Sequence, residues 1–239
     1  MTLLSICQGS ADAIGLVRPG MVIGSSAGEV QKLLRASNKT GLRLMKSFAW
    51  QALRTERTFT SVSGSEQTSI LPSDFDRFIA ETFWDRTDIT LLDGPTGAVE
   101  WQSQTANGYA GYERKFTYRG NSVFIIPAVG AGKAFAFEYV SKNWCQTSGA
   151  VGQSAWAADT DVGVLSEELL TLGTIYEYLV AENLPADAAG MAYMEMADIL
   201  TNNDRPSAGV LVAADIFMGS RHFDGTPAGS GGQNINVLY

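Results

Sequence analysis

The chain has few of the side chains on which most catalytic and metal sites depend. Its 239 residues include one histidine, His222, and two cysteines, Cys7 and Cys145. A Ser/His/Asp or Cys/His catalytic system would have to use His222, and its sequence neighbours supply no base, orienting carboxylate and nucleophile. Two cysteines and one histidine at scattered positions do not match a zinc site either. The sequence therefore predicts a protein that is not an enzyme and uses no cofactor or metal.

Basic charge and long apolar runs are also scarce. The formal net charge is −8 and the sequence pI is about 4.7. An acidic chain lacks the basic footprint that displaces counterions from phosphates, which argues against generic nucleic-acid binding. DNA passing through an acidic channel remains compatible with this charge. No stretch approaches the ~18 apolar residues of a membrane span. A secretory signal would begin with a positively charged segment, but no Lys or Arg precedes Arg18.

The two cysteines fit a reducing compartment, where a thiol behaves as a small buried apolar side chain. A disulfide between Cys7 and Cys145 is the alternative.

The clearest strand pattern lies in residues 112–145. Polar or small and larger apolar side chains alternate in the first and third of three runs, the second run is continuously apolar, and short glycine-containing breaks separate the runs. The runs are residues 114–119, 123–126 and 134–140, and the breaks contain Gly120 with Asn121, then Pro127, Gly130 and Gly132. A period of two interrupted by such breaks predicts an antiparallel meander of three strands.

Helical periodicity occurs on both sides of this region. It predicts helices at residues 2–15, 28–51, 165–179 and 186–200, with shorter helical pieces at 75–82 and 96–104. Strands are predicted at 57–62 and 68–71, around a turn at Ser63 and Gly64, and at 87–92. The predicted fold is α+β, with a helical bundle built from both chain ends and an inserted antiparallel β-rich region. Residues 1–202 form a single body, helical at 1–53 and 162–201 and β-rich at 54–161, followed by an extended C-terminal tail at 203–239.

Two side-chain groups in the helices have alternative explanations. The helix at 28–51 carries a basic face that would suit an acidic partner, although a solvated surface is the simpler explanation. This face consists of Lys32, Arg35, Lys39, Arg43 and Lys46. The last helix contains Met191, Met194 and Met196, which are expected in the core rather than at a cofactor.

The tail is rich in Gly, Ala and Ser and contains two apolar segments. It has too little charge for a solvated disordered segment and too little pattern for a domain of its own. We expect its apolar side chains to bind a partner surface. These residues are Val210, Leu211, Val212, Ile216, Phe217, Met218, Ile235, Val237, Leu238 and Tyr239.

Two short motifs approach known binding loops without matching them. Asp159, Thr160 and Asp161 resemble the start of a calcium loop, but Gly163 comes one position early and no Glu occupies the last position. Residues 130–133 contain the Gly-Lys pair of a phosphate-binding loop, but Pro127 and Ala134 replace its first Gly and its Ser or Thr. A helix start and a hairpin turn are the favoured explanations.

Acidic residues between 66 and 88 are the remaining catalytic candidates. A glycosidase needs two carboxylates in one cleft, but no spacing here selects a pair. The candidates are Glu66, Asp74, Asp76, Glu81, Asp85 and Asp88.

Several segments together resemble the head-to-tail adaptor proteins of tailed phages, also called connector proteins or tail tubular protein A. They lie at residues 75–86, 118–121, 137–145 (FEYVSKNWC), 159–161 and 165–173. The resemblance covers about residues 1–200 and depends on the combination of segments, since none is a mechanistic motif.

The resemblance implies a structural protein of the virion neck, present in the host cytoplasm during assembly. Such adaptors form a ring beneath the portal, usually of twelve copies, through which DNA passes without sequence-specific binding. Its partners would be the portal, tail or nozzle proteins and further copies of itself, and it would support genome retention and ejection. The loops expected to face the tail contain Gly120, Asn121, Gly130, Gly132 and Lys133. Alternatives are a tail-tube or nozzle component and a cell-wall hydrolase carried in the virion.

Overall fold

A computed structural model describes residues 2–109 and 111–205, and residues up to Asp204 form one compact unit. The unit contains both helices and strands and is therefore an α+β structure. The helices are α1 (Leu3–Ile14), α2 (Gly28–Ser47), α3 (Ala98–Ala106), α4 (Glu167–Ala181) and α5 (Asp187–Asp204), with a 3₁₀ turn at Gln51–Leu53.

Eleven strands are present in the described residues. They are β1 (Arg54–Thr60), β2 (Gly64–Gln67), β3 (Phe75–Phe78), β4 (Trp84–Asp85), β5 (Thr90–Asp93), β6 (Arg114–Arg119), β7 (Ser122–Val129), β8 (Ala134–Ser141), β9 (Cys145–Gln146), β10 (Gly152–Gln153) and β11 (Val162–Gly163). No helix in the described ranges is long and apolar enough to cross a membrane.

Helices α1, α2, α4 and α5 pack on one another, with α4 in contact with the other three. Local sequence explains the limits of α1: the Thr2 hydroxyl accepts the Ser5 N–H at its start, and Gly15 adopts φ 74° at its end. Helix α5 continues to Asp204, which is two residues beyond the predicted end of the body. Its last turn is attached to the 3₁₀ turn, because the Gln51 N–H donates to Asp204 Oδ2 at 2.7 Å.

The core between these helices requires close approach at two glycines. A Cβ at Gly41 would lie 2.3 Å from the ring of Trp144, and one at Gly173 would lie 2.3 Å from Thr40 Cγ2. Trp144 follows β8 and is fully buried, with its ring 4.9 Å from that of Trp156. The segment after β8 therefore belongs to the helical core.

The main sheet has the strand order β1-β8-β4-β5-β6-β7-β2, and β3 also pairs with β8. Strands β6 and β7 form the predicted hairpin, with register from Lys115↔Ile126 to Arg119↔Ser122. The third predicted strand is present as β8, but its predicted pairing in the meander is wrong. Strand β8 pairs with β1, β3 and β4 instead of β7. Alternation identified the strands, but pairing depends on contacts far apart in sequence.

Three other local predictions are wrong. Residues 75–78 form strand β3 where a helical piece was predicted, since Phe75 and Phe78 pack in the aromatic core of the sheet. The strand predicted at 68–71 is absent: β2 lies at Gly64–Gln67, begins within the predicted turn and pairs with β7, not with β1. Pro127 was predicted to end its strand, but β7 continues through it to Val129. The residue lies beyond the part of β7 that pairs with β6 and within the register shift opposite β2. No ladder hydrogen bond is needed from its backbone nitrogen there, so a proline is tolerated.

The side chains of the sheet build a second core that is mainly aromatic. Phe83 lies at its centre, with ring centroids 4.7 Å from Phe116 and 5.2 Å from Phe137. The other aromatic members are Phe59, Phe75, Phe78, Phe135 and Tyr139. The chain thus has a helical core and an aromatic core, each filled by its own side chains.

The methionines of α5 were expected in the core, and two of the three are not. Met191 is 66% exposed and Met194 is 60% exposed, whereas Met196 packs against the helical core. Helix α5 buries a narrow stripe that contains Gly190 and Tyr193, so its other faces remain in solvent.

Candidate interaction surfaces

The two loops predicted to face the phage tail lie at opposite ends of β7. Gly120 and Asn121 form the turn before this strand, and the loop with Gly130, Gly132 and Lys133 follows it. An eight-residue strand separates its ends by about 23 Å. The structure therefore does not bring the two loops into one surface, and their orientation toward a tail stays a prediction.

The second loop is fixed to the start of the β1–β2 connection. The Ser61 N–H donates to Lys133 O at 2.9 Å, and the Gly132 N–H donates to Ser61 O at 2.9 Å. The Ser61 hydroxyl also donates to Gly130 O at 2.6 Å. Positive φ at Gly132 (86°) allows this tight path. The loop is a braced crossover between β7 and β8, and the predicted hairpin turn is wrong.

An ionic cluster stabilises the neighbouring turn between β4 and β5. The carboxylate of Asp85 is fully buried and accepts the Thr87 N–H at 2.9 Å and the Asp88 N–H at 3.0 Å. It also binds the guanidinium of Arg114, whose second nitrogen lies 2.6 Å from Asp88 Oδ2. Hydrogen bonds from Lys133 and then Arg114 lower the pKa of Asp88. The turn is therefore held by two cations and two carboxylates.

This turn presents apolar side chains on the outer face of the sheet. Trp84 and Leu91 are paired across β4 and β5, so their side chains share one face. Trp84 is 40% exposed, and Ile89 is 81% exposed. Ile89 also has φ 54°, an uncommon conformation for a β-branched residue. We call Trp84, Ile89 and Leu91 the open sheet face, and beside it lies a groove of about 330 Å³.

The outer face farther along the sheet is different, because α3 lies against it. Glu100 of α3 accepts from Lys115 Nζ on β6 at 2.8 Å, and Trp101 of α3 is buried. Just before α3, the carbonyl of Thr96 accepts the Thr117 hydroxyl at 3.2 Å. The outer face of the sheet is therefore covered at β6 and open at β4, β5 and the turn between them.

The basic face of α2 is largely neutralised within the chain. The Lys39 ammonium lies 2.7 Å from Glu177, and the Arg43 guanidinium lies 2.5 Å from the same carboxylate. Lys32 pairs with Glu182 at 2.6 Å, which raises the pKa of Lys32 through a hydrogen bond. Lys46 pairs with Asp76 of β3. The acidic partner that the sequence suggested for this face is thus supplied mainly by α4.

The acids of the calcium-like motif act as backbone acceptors. Asp159 accepts the N–H groups of Val22 and Ile23 at 3.0 and 2.7 Å. Asp161 accepts those of Ala157 and Ala158 at 2.7 and 2.8 Å. The Asp159 bonds attach the α1–α2 connection to the loop before α4, and the Asp161 bonds close a turn within that loop. Within residues 2–109 and 111–205, no group of three or more His, Cys, Asp or Glu side chains is placed to hold a metal ion.

The acids considered for a hydrolase mostly have structural partners. Asp74 accepts the hydroxyls of Tyr139 at 3.1 Å and Ser141 at 2.7 Å. Asp76, Asp85 and Asp88 are in ion pairs, whereas Glu66 and Glu81 are exposed. The structure therefore assembles no pair of free carboxylates from this set.

Both thiols are buried in the helical core and are free. Burial, with a smaller contribution from Asp159, raises the pKa of Cys7 to about 12. Burial, with Asp161, raises the pKa of Cys145 to about 12. Such thiols stay protonated at neutral pH and are poor nucleophiles.

The remaining predicted sites lie outside the described residues. They are the tail residues Val210, Leu211, Val212, Ile216, Phe217, Met218, Ile235, Val237, Leu238 and Tyr239; His222, for which no role was predicted, also lies there.

The sequence analysis did not predict the open sheet face or its ionic cluster. The available signal was an isoleucine between Asp88 and Thr90, in a short segment that otherwise has turn composition.

Neither a protein-family model nor a curated protein matches this sequence. The resemblance to phage adaptors consequently stays a prediction that depends on the segments quoted above.

Proposed function

We propose that this protein is a head-to-tail adaptor of a tailed phage. It forms a ring beneath the portal, links the capsid to the tail and lines part of the DNA channel, so that it contributes to genome retention and ejection. The observation that carries the proposal is the open sheet face, where Trp84 and Ile89 are exposed on a turn that a buried carboxylate and two cations hold in place.

Such a surface is suited to binding another protein. Exposed tryptophan beside aliphatic side chains is typical of interface hot spots. Backbone strain at an exposed β-branched residue is retained where surrounding contacts enforce it, and it concentrates at functional positions. In a ring, each subunit contacts its two neighbours through two different surfaces. We assign the open sheet face to one of these subunit contacts or to the contact with the phage tail.

The finer architecture of the proposal is a helical bundle formed from both chain ends with the β-rich region inserted. Helices α1 and α2 come from the first 47 residues, and α4 and α5 come from residues 167–204. Contacts of α4 with α1, α2 and α5 support this arrangement.

The tail supplies the second binding element of the proposal. Its segments 210–218 and 235–239 are apolar, and they dock on the portal or on a neighbouring subunit.

The test is to mix the full chain with the portal protein of the same virus and to determine complex mass by native mass spectrometry. A portal complex that contains a ring of this chain is the expected result. Ile89→Ser should weaken ring formation, whereas Val99→Ser should not, although Val99 is equally exposed at 87%. Equal assembly by both variants would remove the assigned role of the open sheet face.

A shortened chain tests the proposed binding of the C-terminal tail to the portal. Because α5 extends to Asp204, the truncation belongs after Arg205, and the shortened protein should remain folded but bind portal poorly. Portal binding equal to that of the full chain contradicts the tail assignment. Binding to tail proteins without any to portal would indicate a tail-tube or nozzle component, and a clear zone on a peptidoglycan zymogram would indicate a hydrolase.

A further inference from the structure

The acidic charge of the chain is concentrated in its last two described helices. Residues 167–204 contain eight acidic residues and no Lys or Arg, which equals the formal net charge of −8 for the whole chain. Two of the acids, Glu177 and Glu182, pair with the basic face of α2. Most of the others are on α5.

One side of α5 combines acidic and apolar residues that are all exposed. We call it the outer face of α5, and it consists of Asp187, Met191, Met194, Glu195 and Asp198. These positions follow the spacing i, i+4, i+7, i+8 and i+11, which places them on one side of a helix. The buried stripe with Gly190 and Tyr193 points elsewhere. In the described part of the chain, none of the three carboxylates forms an ion pair.

We propose that the outer face of α5 binds a basic amphipathic helix of another protein. Methionine side chains are flexible and polarizable, so an exposed pair of them adapts to apolar side chains of a partner helix. The three carboxylates around them complement Lys or Arg on the flanks of that helix. The proposal requires only this face and does not depend on the function proposed above.

Two other occupants fit the face less well. A second copy would need a free basic helix, but four of the five cations on the basic face of α2, namely Lys32, Lys39, Arg43 and Lys46, already pair with acids of the same chain. Duplex DNA would pass an acidic wall without binding it. A wall for DNA has no use for two exposed methionines, which an apolar partner surface would cover.

The test uses the full chain with methionine methyl groups labelled for NMR. The probe is a fluorescent peptide of about 18 residues, with leucines on one side of a helix and lysines on the other. The methyl signals of Met191 and Met194 should shift on binding, whereas that of Met45, which is buried in the helical core, should not. Affinity should fall as salt is added, since exposed charges are screened.

Variants of the face separate its two components. Met191→Ser with Met194→Ser, and Glu195→Gln with Asp198→Asn, should each weaken peptide binding about tenfold. The control variant Glu66→Gln with Glu113→Gln removes the same charge from exposed positions elsewhere and should bind as the wild type does. Helix content by circular dichroism checks that each variant is folded.

Three results would overturn the proposal. One is an affinity that the face variants leave unchanged or that the control variant lowers equally. Another is equally tight binding of a scrambled peptide of the same composition, which would indicate non-specific attraction. The third is a shift of the Met191 and Met194 signals with duplex DNA and none with the peptide, which would assign the face to a DNA channel.

Discussion

The helical core and the aromatic core of the sheet both join residues far apart in sequence, but they differ in how far the local pattern identifies their buried side chains. In the helical core, apolar side chains recur at helical spacing, and glycines such as Gly41 allow close packing. In the aromatic core, rings come from strands far apart in the chain, as with Phe59 and Phe135, whose centroids are 5.3 Å apart. Helical spacing thus predicts which helix side chains enter the first core, whereas membership of the second core depends on strand pairing.

The two regions also place charge differently. In the helical region, the buried carboxylate of Glu177 on α4 is shared by two cations of α2, and the side chains of Lys39 and Arg43 remain half exposed. The strand region encloses Asp85 and satisfies it with Arg114 and two N–H groups. Removing Arg114 should therefore cost more than removing Lys39 or Arg43, because Glu177 would keep a second cation whereas Asp85 would keep none.

Phe83→Ala should have the largest effect. The ring is fully buried among five others, so its loss should lower the free energy of unfolding by about 3–5 kcal/mol. The adjacent Trp84→Ala should cost far less because Trp84 is partly exposed. Urea unfolding followed by circular dichroism measures both. A helix signal that unfolds at the wild-type midpoint in Phe83→Ala would show that the two cores unfold independently.

Arg114→Met should follow, since it leaves the buried carboxylate of Asp85 without its cation. We expect a loss of about 2–3 kcal/mol in the free energy of unfolding. Arg86→Met is the matched control, because Arg86 pairs with Glu56 at an exposed site and should change stability by less than about 1 kcal/mol. Similar losses in both variants would contradict the contrast between surface and buried ion pairs.

Gly41→Ala tests the helical core and should cost about 1–3 kcal/mol, because the added Cβ meets the buried ring of Trp144. Gly28→Ala, in the same helix, has no heavy atom within 4 Å of the added Cβ and should be neutral or slightly stabilising. The midpoints of thermal unfolding compare the two. A Gly41→Ala protein as stable as Gly28→Ala would mean that Trp144 moves away without loss.

The smallest expected effect is a pH dependence at the ionic cluster. Because the pKa of Asp88 is lowered in the folded protein, its contribution to stability is present above the ordinary carboxyl range and is lost as pH falls through the folded pKa. Asp88→Asn should therefore differ most from the wild type near neutral pH and least in acid. Lys133→Met should reduce the same pH dependence. Unfolding midpoints from about pH 7 to about pH 3 give both curves, and parallel curves would exclude Asp88 as the group responsible.

The long helices were predicted within a few residues, because burial of one face repeats every three or four positions. The same logic placed Met191 and Met194 in the core, which was wrong: a helical pattern does not show how many of its faces are covered. The basic face of α2 was recognised, but its acidic partners on α4 required the packing of two helices. The open sheet face depends on the pairing of β4, β5 and β8, which the isoleucine between Asp88 and Thr90 does not specify.

The sequence by itself determined which segments are helices or alternating strands, the acidic charge, and the scarcity of catalytic side chains. These properties follow from composition and from periods of two to four residues, which act between near neighbours. Only the tertiary structure decided that β8 leaves the meander, that Trp144 enters the helical core, and that Trp84 and Ile89 remain exposed. Strand partners and buried faces depend on contacts between residues distant in sequence, and local periodicity does not specify those contacts.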